Sequence, residues 1–236
     1  MIATIINAAA VILGTVVGGL FKARITESLK TVVYTGIGVV SLILGISMAL
    51  ETTRVLYLAL ALTVGGVVGT ALKIEDGILR IGVLLRERFA RGDGHTEFAY
   101  GFLNASVLFC VGAMTIVGAF RAGAEGNYEL ILTKSVMDGF MAIMLASVLG
   151  VGVGFSAITI LVYQGGLTML AAFFAPVVSP LVITEITGSG GALVIMIGLN
   201  LLGLKKVKTA DFLPALVIVL GFVLLDPVIS GIMPVL

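Results

Sequence analysis

Lys134 and Asp138 are the residues of this chain whose types and spacing most suggest chemistry. They stand four apart within Leu132-Thr133-Lys134-Ser135-Val136-Met137-Asp138-Gly139, near the start of an apolar run that continues to Val151. On a helix, residues four apart share a face. An ammonium and a carboxylate placed so can neutralise one another or divide a polar ligand between them. With a span from about Ile131 to Val151, Asp138 lies roughly 10 Å inside the apolar layer at ~1.5 Å per residue. A carboxylate at that depth is costly unless it faces a partner or a watery cavity, and such positions mark solute and ion pathways. The plainer alternative is a lysine that snorkels to the interface, with Asp138 as its local partner.

Four amides, Asn7, Asn104, Gln164 and Asn200, also fall in or near apolar runs. Gln164 stands mid-run before Gly165 and Gly166. A Gln-Gly-Gly at that depth either breaks a helix, so that freed backbone groups line a site, or makes an interhelical hydrogen bond beside a close glycine contact. With Lys134 and Asp138, these amides are the candidate solute-binding residues. Glu185 and the run Gly188–Gly191 could form a backbone nest for an anion, but read more readily as a surface turn. Gly14 with Gly18, and Gly65 with Gly69, are small-xxx-small pairs that predict close helix packing. Met137, Met141 and Met144 read as lipid-facing or core filler.

The elements that must position these groups are membrane helices. Hydrophobic residues make up 59% of the 236, charged residues 11%, and the mean hydropathy is +1.22, against about 25% charged in an ordinary globular domain. Several apolar runs exceed the ~18 residues that mark a spanning helix. The chain reads as an all-α polytopic membrane protein, one domain over 1–236, with eight spans at about 2–20, 29–50, 55–72, 98–120, 131–151, 157–174, 186–204 and 212–228. The first is expected to be retained rather than cleaved, since it lacks a basic leader and a small-residue cleavage site. Residues 73–97 form the longest polar stretch. It opens with apolar residues at helical spacing, as an amphipathic interfacial helix would, and leads into a turn at Arg91-Gly92-Asp93-Gly94-His95. Pro176 and Pro180 end the sixth span.

Loop charge orients the spans. The first, third and seventh loops hold Lys22, Arg24, Lys30, Lys73, Arg80, Arg86, Arg88, Arg91, Lys205, Lys206 and Lys208, whereas the second and fourth hold only Arg54 and Arg121. The positive-inside rule then puts the odd loops in the cytoplasm and both termini outside. The fifth loop, 152–155, takes its side from parity alone. Soluble-enzyme signatures are missing: there is no phosphate-binding loop, no dinucleotide fingerprint and no Cys/His cluster. Cys110 is the lone cysteine and His95 the lone histidine. No catalytic activity, cofactor, metal or nucleic-acid partner is expected.

A weak internal likeness runs through the first part of the chain. Ile6-Asn7-Ala8-Ala9 resembles Leu103-Asn104-Ala105-Ser106, and Gly19-Leu20-Phe21-Lys22-Ala23 resembles Gly118-Ala119-Phe120-Arg121-Ala122. If this is more than the chance likeness of glycine-rich helices, the units are 1–72 and 98–175, joined by 73–97 and followed by two further helices in 176–236. An odd number of spans per unit inverts the second copy, the arrangement of many secondary transporters. In that arrangement Gly36 and Gly38 face Lys134 and Asp138.

Met1-Ile2-Ala3-Thr4-Ile5-Ile6-Asn7, Val111-Gly112-Ala113-Met114-Thr115-Ile116-Val117-Gly118, Lys134-Ser135-Val136-Met137-Asp138-Gly139, Tyr163-Gln164-Gly165 and Gly198-Leu199-Asn200-Leu201-Leu202-Gly203 resemble, in order and over nearly the whole chain, the YqgA/YdfK-type family of uncharacterised bacterial inner-membrane proteins. The resemblance implies a multi-pass protein of the bacterial plasma membrane and supplies no activity. The residues themselves point to a secondary transporter moving a small polar or ionic solute by alternating access, coupled to H+ or Na+. Its partners are the lipid bilayer, the solute and, if it oligomerises, further copies of itself. The alternative is a membrane scaffold or regulator acting through 73–97, a stretch short for a signalling domain. A passive channel would need a polar stripe along one helix, and none is present.

Overall fold

The computed structural model describes residues 1–22, 26–89, 95–110, 113–171 and 179–232. Among them, every regular element is helical: α1 (Ile2–Lys22), α2 (Glu27–Ala49), α3 (Val55–Leu72), α4 (Ile74–Phe89), α5 (His95–Cys110), α6 (Ala113–Phe120), a π-helical turn (Arg121–Glu125), α7 (Glu129–Leu149), α8 (Gly152–Met169), α9 (Pro180–Leu201), a 3-10 turn (Thr209–Phe212) and α10 (Pro214–Ile232). Seven spans are long and apolar enough to cross a membrane, and α5 with α6, whose axes differ by 59°, can supply an eighth. The expected linker over 175–178, the turn at 91–94 and Arg24 lie outside the described residues.

The third span falls where the hydropathy placed it. Residues 152–155, expected as a loop, are instead the first turn of α8. Gly150 makes this possible: at φ 78° it adopts a left-handed conformation that costs glycine nothing, so Gly150 and Val151 alone connect α7 to α8. α9 starts at Pro180, earlier than the expected 186. Ser179 Oγ accepts from Val182 N at 3.2 Å, and proline in the first turn loses no helical hydrogen bond. The run Gly188–Gly191 therefore lies buried inside α9, and the surface turn read there is corrected.

Glycines set which helices meet. Gly14 and Gly18 of α1 lie against the Gly139 and Ile143 carbonyls and against Ala142 and Ala146 of α7, so these helices run parallel. This is the most extensive packing in the fold; next comes α2 against α9. There Gly45 meets Gly191 and Ile195, and Gly38 meets Gly198 and Leu202, in antiparallel order. α3 meets α10 and the 3-10 turn before it in antiparallel order, Gly65 with Ala215 and Gly69 with Asp211. A Cβ at Gly14 or Gly18 would strike a backbone carbonyl, which cannot swing aside. Each Gly→Ala change there should cost about 1–3 kcal/mol, read as a fall in the thermal midpoint of the purified protein. Gly19→Ala, with nothing within 4 Å of the added carbon, should leave it unchanged.

These contacts are not those a 3+3 exchange requires. A half-turn relating the first three spans to the next three would match the α1–α7 contact with one between α2 and span four. Among the described residues α2 packs chiefly on α9 instead. Gly38 faces Leu202 and Gly198 rather than Lys134 and Asp138, and Gly36 faces nothing within 4 Å. The reason is the spacing of Gly38 and Gly45: seven apart, they lie on one helix face, and that face is taken by α9.

The helix directions implied by these contacts sort the linkers to two ends. One end, basic, gathers α4 and the α9–α10 linker with Lys205, Lys206 and Lys208; the other gathers the start of α1, the α2–α3 linker and the start of α7. α4 is the expected amphipathic helix, and its first turn is latched to the 3-10 turn. Glu75 N donates to Asp211 Oδ1 at 2.8 Å, Ala210 N donates to Glu75 Oε2 at 3.0 Å, and Lys208 pairs with Asp76 at 2.8 Å. Burial pushes the Glu75 carboxyl above its ordinary value of 4.5, and the neighbouring Asp211 pushes the same way, against the Ala210 N–H. The folded state thus holds this proton more tightly than the unfolded chain does. Glu75 should therefore contribute a stability that falls as pH rises from 4.5 through the higher folded value. Thermal midpoints measured against pH should show that slope, and Glu75→Gln should flatten it.

Candidate functional site

The helical register of α7 turns Lys134 and Asp138 inward, where they are 6% and 8% exposed. Lys134 Nζ donates to Asp138 Oδ2 and stands 5.9 Å from the centre of the Phe109 ring, within reach of its electron-rich face. The same carboxylate oxygen accepts from Asn7 Nδ2 at 3.0 Å. Asn7 Nδ2 also donates to Gln164 Oε1 at 3.1 Å, and Gln164 Nε2 donates to Thr4 Oγ1 at 3.2 Å. A buried carboxylate in a membrane is thus tied to three helices, α1, α7 and α8. Its opposite charge and its amide partners offset the cost of removing it from water. Asn7 Oδ1 is buried with no hydrogen-bond partner among the described residues.

α8 is unbroken at Gln164. It continues through Gly165 and Gly166 to Met169, with Leu170 N still donating to Gly166 O at 2.9 Å. Of the two readings of Gln-Gly-Gly, the interhelical hydrogen bond describes the site. Asn7 and Gln164 are thus brought to Asp138; Asn104 and Asn200 are not. Asn200 closes the α9–α10 linker, donating to Val207 O at 2.8 Å and accepting from Val207 N at 2.7 Å. The free backbone groups after a helix end need partners, and this amide supplies them.

Among the described residues, two cavities lie at opposite levels of the bundle. The first, about 270 Å³, reaches from Glu51 in the exposed α2–α3 linker to Lys134 and Asp138, past Met48, Met114, Met137, Met141 and Thr187. Met137 and Met141, expected as lipid-facing or core filler, wall this cavity, and Met137 is also 49% exposed on the outer face of the bundle. The second, about 820 Å³, lies at the basic end; Tyr34, Glu97, Tyr100, Asn104, Asn200 and Lys206 line it. Each of α2, α5, α7 and α9 lines both. α2 gives Tyr34 to one and Met48 to the other, α5 Asn104 and Phe109, α7 Leu149 and Asp138, α9 Asn200 and Thr187. Between these levels the helices close on an apolar cluster that includes Ile37, Ala105, Phe109 and Leu145, with Leu108 and Leu201 packed against it. The arrangement is two cavities at opposite levels of the same four helices, each with a few polar groups set in a largely apolar lining, and apolar side chains pack between them.

A second buried carboxylate, Glu185, reads in the sequence as part of a surface turn and lies instead inside α9. Glu185, 0% exposed, accepts from Thr52 Oγ1, from Thr53 N and Oγ1 at 2.8 and 2.9 Å, and from Arg54 N at 3.0 Å. Beside it Tyr57 OH donates to Asp226 Oδ1 at 2.8 Å, and Arg54 pairs with Asp226 at 3.3 Å. The signal was present: Glu185 is the one charged residue in the sequence of α9, and Thr52-Thr53 offers a clustered set of donors. Among the described residues no three His, Cys, Asp or Glu gather as metal ligands would.

Comparison with known proteins gives a family without an activity. The family model described as "Protein of unknown function (DUF554)" matches residues 2–224. The "Uncharacterized membrane protein YdfK" of Bacillus subtilis (strain 168) is 31% identical over 222 residues, 92% of this chain and 93% of the relative. The "Uncharacterized protein YqgA" of Escherichia coli (strain K12) is 29% identical over 221 residues, 92% of this chain and 94% of the relative. No solved structure matches the chain.

Proposed function

Since the chain belongs to the family described as Protein of unknown function (DUF554), we propose its activity from the site itself: a secondary transporter that moves a small polar or ionic solute by alternating access, coupled to H+ or Na+. One observation carries this reading. The two cavities are lined by the same four helices at opposite levels and are separated by an apolar seal, the form a carrier takes when its solute site is reached from one side at a time. The Lys134–Asp138 pair at the floor of the smaller cavity is the solute site, and Asn7 and Gln164 hold the carboxylate in place behind it. Asn104 and Asn200 line the opposite vestibule. Rocking of the α1–α7–α8 group against the α2–α9 pair would open one cavity as it closes the other, and this needs no exact repeat of the first six spans.

The protein sits in the bacterial plasma membrane with its basic end in the cytoplasm. In a Cys110→Ala background, Lys205→Cys should react with a membrane-impermeant thiol reagent only after cells are opened, and Asn127→Cys should react in intact cells. The reverse pattern would invert the orientation. Transport itself is tested in proteoliposomes of the purified protein, by saturable exchange of small polar metabolites against empty liposomes. If no solute exchanges, the scaffold reading takes its place.

A further inference from the structure

The chemistry of the smaller cavity narrows the solute. We infer that the ligand of Lys134 and Asp138 is a small zwitterion bearing an apolar side group, of the size and kind of an apolar α-amino acid. The inference rests on the reading of this cavity as the solute site.

The charge balance is the first support. Lys134 and Asp138 form a pair of net charge zero, buried among apolar residues, and the carboxylate is satisfied internally by Lys134 and Asn7; Glu51, the other charged residue of the lining, stands exposed in the linker at the mouth, where water screens it. A lone anion or cation arriving here would leave one of the site's own charges uncompensated in a poorly polarisable surrounding, which is expensive. A zwitterion exchanges partners instead: its carboxylate takes the Lys134 ammonium, its ammonium takes Asp138, and the total stays zero. No proton or electron has to move for that exchange.

The walls are the second. Beyond the ion pair the cavity presents Leu44, Leu108, Phe109 and four methionines, a lining suited to an apolar group and, through the flexible thioethers, to more than one shape. At about 270 Å³ it is smaller than the ~300–1,000 Å³ of sites for drug-sized ligands, so a single metabolite-sized group fits and a nucleotide does not. The third support is Thr187. It lines the cavity, is 1% exposed, and its hydroxyl has no partner among the described residues. Buried hydroxyls are normally paired; an ammonium or carboxylate held between Lys134 and Asp138 would supply the missing bond.

Thermal shift of the purified full-length protein tests the charge rule, with L-leucine, L-methionine and L-phenylalanine as zwitterions, N-acetyl-leucine as the anion, leucinamide as the cation and a polyol as the uncharged arm. The zwitterions should bind at least about tenfold more tightly than either blocked form, since each blocked form forfeits one charge-assisted contact. The variants should switch preference rather than merely lose it. Asp138→Asn should favour N-acetyl-leucine, and Lys134→Gln should favour leucinamide. Equal binding of the blocked forms by the unaltered protein, tighter binding of the polyol, or no binding of any amino acid would overturn the inference. The two readings separate in proteoliposomes. Amino-acid binding without exchange removes the transport reading and leaves the site; exchange confined to polyols or inorganic ions leaves transport and removes the zwitterion.

Discussion

Asp138→Asn should abolish solute exchange in proteoliposomes, by at least about 100-fold, in a protein that still inserts and folds. Removing one partner of a buried ion pair costs about 3–5 kcal/mol, and a site that uses the pair to hold its ligand loses at least that ~100-fold in binding or rate. Insertion should survive for two reasons. The new amide keeps an oxygen for Asn7 Nδ2, which donates to Asp138 at 3.0 Å. The long stem of Lys134 lets its ammonium turn into the cavity it already lines and be hydrated there. The decisive companion is the double replacement Lys134→Met with Asp138→Leu. Exchanging a buried pair for apolar residues of similar volume is often neutral or stabilising, so the double variant should melt at or above the temperature of the unaltered protein and still transport nothing. A double variant with full exchange would make the pair a structural staple, and the solute site would have to be sought elsewhere.

Glu185→Ala should be the most destabilising single change outside that site. The carboxylate gathers two backbone N–H groups and two threonine hydroxyls of the α2–α3 linker, fastening it to the first turns of α9. Without it those donors lose their acceptor, at about 1–3 kcal/mol for each group that water cannot reach. Some will find water, since Thr53 and the linker are partly exposed, so the expected loss is about 3–5 kcal/mol in all. Glu185→Gln keeps one acceptor oxygen for the Thr53 and Arg54 amides and should cost less than half as much. Thermal midpoints and the yield of folded protein measure both. An unchanged midpoint for Glu185→Ala would mean the linker is held by its other contacts, of which the Arg54–Asp226 pair is the next to test.

The sequence by itself determined whatever depends on short range. Hydropathy settled that the chain is a bundle of membrane helices and where most of them lie, because ~18 apolar residues are long enough to span and few other structures use them. The four-residue spacing of Lys134 and Asp138 settled that they meet, because one turn of helix brings them together whatever surrounds it. The spacing of Gly14 and Gly18 marked a close helix contact, which α7 fills. Helix ends were legible where a charge closed an apolar run, as at Leu72 before Lys73, and misplaced at Gly150, where the turn needs only a positive φ, and at Pro180, which opens α9 instead of standing in the linker before it.

Only the tertiary structure decided which face of each helix meets which neighbour. Asn7 and Gln164 join Asp138, Asn104 and Asn200 turn to the other cavity, Gly38 takes α9, and Glu185 is a buried latch rather than part of a turn. In water the polar face of a helix announces which side is buried. In a bilayer the lipid is as apolar as the protein interior, so hydropathy no longer separates the two, and partners are chosen by close packing and by hydrogen bonds between helices far apart in the chain.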